Sequence, residues 1–211
     1  DLLYLMDIAF SVGAYLFSLR LMDTHIRSTE PTFLGWGAAL ICYEPFWQRL
    51  GSYLLDWGNL HWTNWLNGYP VLFVIWGCVI LVLIAVYAYS TAAFGMRFSN
   101  LTHRGIITNG PYRWMKHPAY VCKNLTWWFI SVPFVINGSM SETLRHVLLL
   151  LMLNGIYFVR AKTEERHLSR DPVYVQYAAW IDKHGLFAIL KRGAGRAARR
   201  LLAALAKNAE A

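Results

Sequence analysis

The sequence is short of charge. Only 15% of its 211 residues are Asp, Glu, Lys or Arg, where a soluble domain carries about 25%. Together with 56% hydrophobic and 16% aromatic residues, that shortage excludes a disordered chain and argues against an ordinary water-soluble enzyme. Cysteine is scarce as well. Cys42, Cys78 and Cys122 all stand in apolar runs without CxxC or Cys/His spacing, which argues against a disulfide scaffold. The seven histidines form no HxxxH or HxxE pair and no serine sits in a GxSxG elbow, so no metal site and no serine nucleophile are expected. The chain opens on Asp1 rather than Met, which leaves room for a removed leader or further helices upstream.

What the chain has in quantity is apolar length. Five stretches approach the roughly 20 residues a membrane helix needs: Leu2–Met22, Phe33–Leu50, Val71–Phe94, Ala119–Ile136 and Leu144–Val159. The third carries no charge at all. The others hold the polar interruptions Asp7, Glu44, Lys123 and Asn154. Charge placement then sets a topology. Arg20 and Arg27 lie at and just beyond the end of the first stretch, and Arg97, Arg104, Arg113 and Lys116 follow the third. Eleven of the 20 Lys and Arg lie from Arg160 onward, whereas segments 51–70 and 137–143 have none. If five helices alternate, the basic segments share one side, and basic loops face the cytoplasm. The expectation is an all-α, polytopic membrane protein of one domain with about five transmembrane helices. Its 95–118 loop and C-terminal helical segment are expected to be cytoplasmic, and the lipid bilayer is its first partner. Oligomeric state is not legible.

The smaller signals fit that frame. Trp57, Trp62 and Trp65, with Asp56 and His61, read as an interfacial belt within Ser52–Asn67. Asn137-Gly138-Ser139 matches a glycosylation sequon, a triplet common by chance. Asp7 and Glu44 read as an intramembrane relay or simply as interfacial groups. The +8 charge suggests nucleic acid, but the basic residues flank hydrophobic spans. The block after Leu190 is a basic amphipathic tail, with Leu201, Leu202 and Leu205 on one side and Arg196, Arg199, Arg200 and Lys207 largely elsewhere. Such a tail suits anionic lipid rather than DNA.

Two polar constellations remain. The first runs from Gly110 through Pro111, Tyr112, Arg113, Trp114, Met115, Lys116, His117 and Pro118 to Tyr120. Two prolines impose irregular backbone at the membrane face, and such backbone persists only where protein buries it or it lines a cavity. The segment reads as a basic anchor with interfacial aromatics, or as a binding loop with donors from Arg113, Lys116 and His117 and flat surfaces from Tyr112, Trp114 and Tyr120. The second, Arg160 to Leu168, continues the fifth stretch. Arg160 and Glu164 share one helical face, either as a solvated ion pair or as ionisable groups turned into a cavity. Asp171-Pro172 then reads as the start of a further helix carrying Tyr174, Tyr177 and Ile181 on one stripe.

Taken together, the constellations resemble the isoprenylcysteine carboxyl methyltransferase family and its phospholipid methyltransferase relatives. That pattern reads GPYR-x-x-RHP-x-Y, then R-x-x-x-E-E-x-x-L, then Y-x-x-Y. It is met by Gly110, Pro111, Tyr112, Arg113, His117, Pro118 and Tyr120, then Arg160, Glu164, Glu165 and Leu168, then Tyr174 and Tyr177, with Lys116 where the family has Arg. The resemblance covers Arg97–Tyr177. It implies an integral-membrane enzyme dependent on S-adenosylmethionine, with cofactor contacts from Gly110, Tyr112, Arg113, His117, Pro118, Tyr120, Glu164 and Glu165 and catalytic roles for Arg160 and Glu164. It divides the chain into acceptor-side helices (1–96), a methyltransferase-like half (97–190) and the basic tail (191–211). The acceptor would be lipid-borne or isoprenoid, a carboxylate favoured. A sterol-type reductase using NADPH and a non-enzymatic membrane partner are the alternatives.

Overall fold

A computed structural model describes residues 2–55, 61–136 and 139–209. The chain is 73% helical. Among the described residues there are nine α-helices: α1 Leu2–Leu16, α2 Phe33–Leu40, α3 Phe46–Leu54, α4 Trp62–Trp65, α5 Pro70–Phe94, α6 Pro118–Ser131, α7 Met140–Leu168, α8 Pro172–His184 and α9 Leu186–Ala209. The two-residue strands β1 (Ser28–Thr29) and β2 (Thr102–His103) pair antiparallel, Ser28 opposite His103.

Proline and glycine set the helix ends. Pro70, Pro118 and Pro172 each occupy a first turn, where the missing N–H costs nothing. Ser139 and Glu142 form a reciprocal capping box at the start of α7, and the Asp171 side chain accepts from Val173 N at the start of α8. The expected second apolar helix is instead two short ones. α2 ends at Leu40 and α3 begins only after Pro45, whose ring would clash in a helix interior and which restricts Glu44 before it.

Two helices, α5 with its extension to Arg97 and α7, are long and apolar enough to cross a bilayer. A soluble core helix passes the same length test, but only 6% of α5's most apolar window is buried within the protein. Apolar side chains so exposed suit a hydrocarbon solvent. α1 and α6, with 15 and 14 residues, are each shorter than the hydrocarbon thickness of about 30 Å.

Leu54, Leu150, Leu153 and Tyr157 form the buried centre where α3 meets α7, with Trp47, Trp127 and Trp128 packed around it. Indole donors tie the long helices together: Trp76 Nε1 donates to Phe129 O at 2.8 Å, and Trp128 Nε1 to Asn154 Oδ1 at 3.0 Å. Trp62 and Trp65 of the expected belt pack on Phe73, Trp76 and Phe134.

The basic segments gather at one end. β1 pairs with β2, Arg97 binds Asp23 at 2.7 Å, Arg104 Nη1 caps α1 through Ala14 O at 2.7 Å, and Ser28 Oγ meets His167 Nε2 at 2.9 Å. Trp57, Asp56, the sequon residues Asn137 and Gly138, and the side chains of Asp7, Arg200, Leu201, Leu202, Leu205 and Lys207 lie outside the described residues.

Candidate functional site

The Gly110–Arg113 segment is a 3-10 turn leaning on the end of α5. Gly110 has φ +55°, and a Cβ there would stand 3.4 Å from Ala93 and Tyr89, so glycine suits both the backbone and the approach. Tyr112 is buried edge-on against Phe94, ring centroids 4.9 Å apart. The C-terminal helices hold the loop from the other side. Tyr177 Oη donates to Tyr112 O at 2.7 Å, Leu186 N donates to Trp114 O at 2.8 Å, and Lys116 Nζ binds Asp182 Oδ1 at 2.7 Å. At position 116 lysine therefore serves as a point charge for α8. Burial raises the phenols of Tyr174 and Tyr177 above the usual tyrosine range, so both stay neutral.

The loop delivers His117 directly before α6, where it stacks on Tyr120 with centroids 5.4 Å apart and planes 4° from parallel. This pair meets the last turns of α7. Tyr120 Oη donates to Glu164 Oε2 at 3.0 Å, and His117 Nε2 donates to Glu165 Oε1 at 3.1 Å. Lys162 Nζ holds the other oxygen of Glu165 at 2.8 Å. The two constellations, more than 40 residues apart in sequence, thus form one corner.

Arg160 is buried at 8% exposure. Its Nη2 donates to Tyr43 Oη at 3.2 Å and to Asn100 Oδ1. Its guanidinium carbon lies over the rings of Tyr120, Tyr43 and Tyr157 at 5.1, 5.4 and 6.0 Å. Such stacking keeps a guanidinium in an apolar wall.

These groups surround a cavity of about 340 Å³, within the usual range for a small ligand. Tyr112, His117, Tyr120, Arg160 and Glu164 line it. Gly110 and Arg113 face a separate outer hollow with Trp180, because Arg113 is turned out over Trp114. Pro118 is buried in the helix start and Glu165 stands behind His117, so neither lines the cavity. Tyr174 lines it too, and its buried Oη has no hydrogen-bond partner among the described residues. A buried orphan hydroxyl beside a cavity calls for a partner.

Sequence reading missed Tyr43, Asn100, Lys123 and Tyr157, all on the cavity wall. Lys123 alone had a local signal, since Tyr120, Lys123 and Trp127 share one face of α6. A further cluster was also unforeseen. Glu30, 5% exposed, accepts from Thr32 N at 3.1 Å and lies 3.8 Å from His167 Nδ1 and 3.9 Å from Arg166. It seats the β1 segment on α7. No group of three or more His, Cys, Asp or Glu able to hold a metal occurs among the described residues.

Fold and site define an integral-membrane helical protein whose cavity, largely apolar with a few charged groups, opens among the ends of its long apolar helices. Residues 70–170 match the model of the isoprenylcysteine carboxyl methyltransferase (ICMT) family, one of membrane methyltransferases, and that match supports membership of the family. Neither a curated protein nor a solved structure matches the chain.

Proposed function

We propose that the protein transfers a methyl group from S-adenosylmethionine to an acidic group, a carboxylate favoured, on a lipid-borne or isoprenoid acceptor. The observation that carries this reading is the corner in which His117 and Tyr120 meet Glu164 and Glu165 beside a buried Arg160.

The residues fit the cofactor. Glu164 keeps lone pairs beyond the one Tyr120 uses and suits an ammonium. The His117–Tyr120 stack offers a flat platform, and the orphan Tyr174 hydroxyl offers a hydrogen bond. When bound, S-adenosylmethionine supplies an activated methyl on a sulfonium. The chain's own part is alignment, and holding two reactants in attack geometry lowers a barrier by roughly 7–11 kcal/mol. Tyr43, Tyr120 and Tyr157 fix the Arg160 guanidinium, which is a fork suited to orienting an oxyanion. The loop clamped by Tyr177 frames the cofactor end. In this reading the chain crosses the bilayer five times, α2 and α3 together making one pass, with the basic end cytoplasmic.

The test titrates detergent-solubilised protein with S-adenosylhomocysteine and with NADPH, then follows labelled methyl into a lipid extract. Binding of the first alone is expected. Arg160→Ala should cut methyl transfer by about 100-fold while S-adenosylhomocysteine affinity stays within about threefold. Normal turnover in that variant removes Arg160 from the mechanism. Binding of NADPH alone defeats the reading.

A further inference from the structure

Helix α9 is amphipathic and nearly bare. From Ile189 to Arg199 every residue is exposed except the half-buried Gly193 and Gly195. Helical period puts Phe187, Leu190, Ala194 and Ala197 on one face and Arg192, Arg196 and Arg199 on the opposite one. Phe187 and Leu190 are 59% and 57% exposed. The cations stand unopposed, since no Asp or Glu occurs between Asp182 and Glu210. Beside the joint with α8, exposed Trp114, Trp180 and Arg113 continue the same mixture. A helix of this kind owes its stability to burying its apolar face rather than to propensity, and the described residues bury little of that face. The two long apolar helices already hold the chain at a bilayer, so a lipid surface lies within reach of α9 without recruitment of a second macromolecule. Apolar and aromatic side chains beside unopposed cations suit acyl chains beneath anionic headgroups.

The start of α9 is wired to the cavity. Leu186 N, on the first residue of α9, donates to Trp114 O at 2.8 Å. Arg192 Nη1 reaches back to Lys183 O at 2.6 Å and ties the next turn of α9 to the end of α8. From α8, Asp182 holds Lys116 at 2.7 Å and Tyr177 Oη donates to Tyr112 O at 2.7 Å. The α8–α9 joint and the Tyr112–His117 loop are therefore one bonded unit, and that loop brings Tyr112 and His117 to the cavity wall. Whatever orders the first turns of α9 orders this wall. A surface that binds α9 and a ligand that binds the cavity then share a coupling free energy, and each strengthens the other.

We propose that α9 docks on the anionic lipid surface of the membrane that holds the protein. Through Leu186 and Trp114 this docking orders the Tyr112–His117 loop and tightens ligand binding in the cavity. The proposal rests on the methyltransferase reading only for taking S-adenosylhomocysteine as that ligand.

The experiment uses the full chain in nanodiscs of phosphatidylcholine, with and without about 30 mol% phosphatidylglycerol. Amide hydrogen exchange is read over Trp114–His117 and over Leu186–Arg199, and S-adenosylhomocysteine is titrated in parallel. Phosphatidylglycerol slows exchange in both segments by about tenfold and raises ligand affinity by about fivefold. About 0.5 M salt cancels the effect, because it screens the headgroup charge. The Lys191→Gln/Arg196→Gln/Arg199→Gln protein behaves in both discs as the wild type does without phosphatidylglycerol. Arg196→Lys/Arg199→Lys, which keeps the charge, responds like the wild type. Equal exchange of α9 in the two discs overturns the docking. Slowing of α9 without slowing of Trp114–His117, or with the affinity of a bound ligand unchanged, overturns the coupling. Polyglutamate that protects α9 equally well in pure phosphatidylcholine discs overturns the choice of lipid as the occupant. The lipid and salt comparisons need no variant, so misfolding of a variant leaves the question answerable. If S-adenosylhomocysteine binds no form while both segments slow, the methyltransferase reading fails and the lipid-coupled joint stands.

Discussion

Adjacent carboxylates with unlike surroundings give the clearest contrast at the scale of single residues. Glu164 lines the cavity and accepts from Tyr120, while Glu165 is held by His117 and Lys162 behind it. Glu164→Gln should weaken S-adenosylhomocysteine binding by tenfold or more, about 1.4 kcal/mol. Glu165→Gln should leave affinity within about threefold and instead lower the melting temperature, since hydrogen bonds to a charged group contribute about 1.5–3 kcal/mol. Calorimetry and thermal unfolding on both variants check this, and equal effects on affinity would refute the division. His103 gives the pH dependence. Burial holds its imidazole below the usual histidine value, against the pull of Asp171 at 3.4 Å and aided by Arg27. The unfolded chain then takes up the proton first. Stability is full above pH 6.5, the ordinary histidine value, and falls as pH drops through the lower folded value. Melting temperatures between about pH 7.5 and 5.5 should decline, and His103→Gln should decline less.

The joint between α8 and α9 acts as a clamp at the scale of elements. A Cβ on Gly185 would lie 2.6 Å from Ile181 O and 2.9 Å from Trp114 O. Both are backbone atoms that cannot step aside. Gly185→Ala should therefore pull Leu186 from Trp114 and loosen the loop that carries His117, lowering both melting temperature and S-adenosylhomocysteine affinity. Gly193, in α9 with nothing within 4 Å of an added Cβ, is the control. Gly193→Ala should be neutral or stabilise by about 0.5–1 kcal/mol. Joints of this kind explain what sequence shows and hides. The Pro118 and Asp171-Pro172 helix starts were legible because caps are local chemistry. So was the Arg160–Glu164 face, which follows from helical period alone. The break after Leu40 was missed because apolar composition outweighed Pro45 in a run that otherwise reads as one span. The partners of Arg160 were hidden for another reason: Asn100 and Tyr43 stand 60 and 117 residues away, and no periodicity encodes a contact that only tertiary packing creates.

Polarity along one axis governs the whole molecule. The segments after α1, α5 and α7 meet at one end through Ser28–His167, Arg97–Asp23 and Leu186–Trp114. Trp65 meets Phe134 where the segments before α5 and after α6 come together. On the proposed five-crossing path an even number of crossings between α5 and α7 would start α7 at the wrong end, so that path requires α6 to return across the bilayer although it has only 14 residues. The buried Val132 and Pro133 beyond its last turn extend that path inside the protein, where non-helical backbone is tolerated at membrane depth. Asn109 and Ser141, both exposed, then lie on opposite faces. With the native cysteines replaced, Asn109→Cys in sealed vesicles should react with a membrane-impermeant maleimide from the cytoplasmic side only, and Ser141→Cys from the other side only. Labelling of both from one side would abolish the return crossing, and with it the proposed five-crossing path.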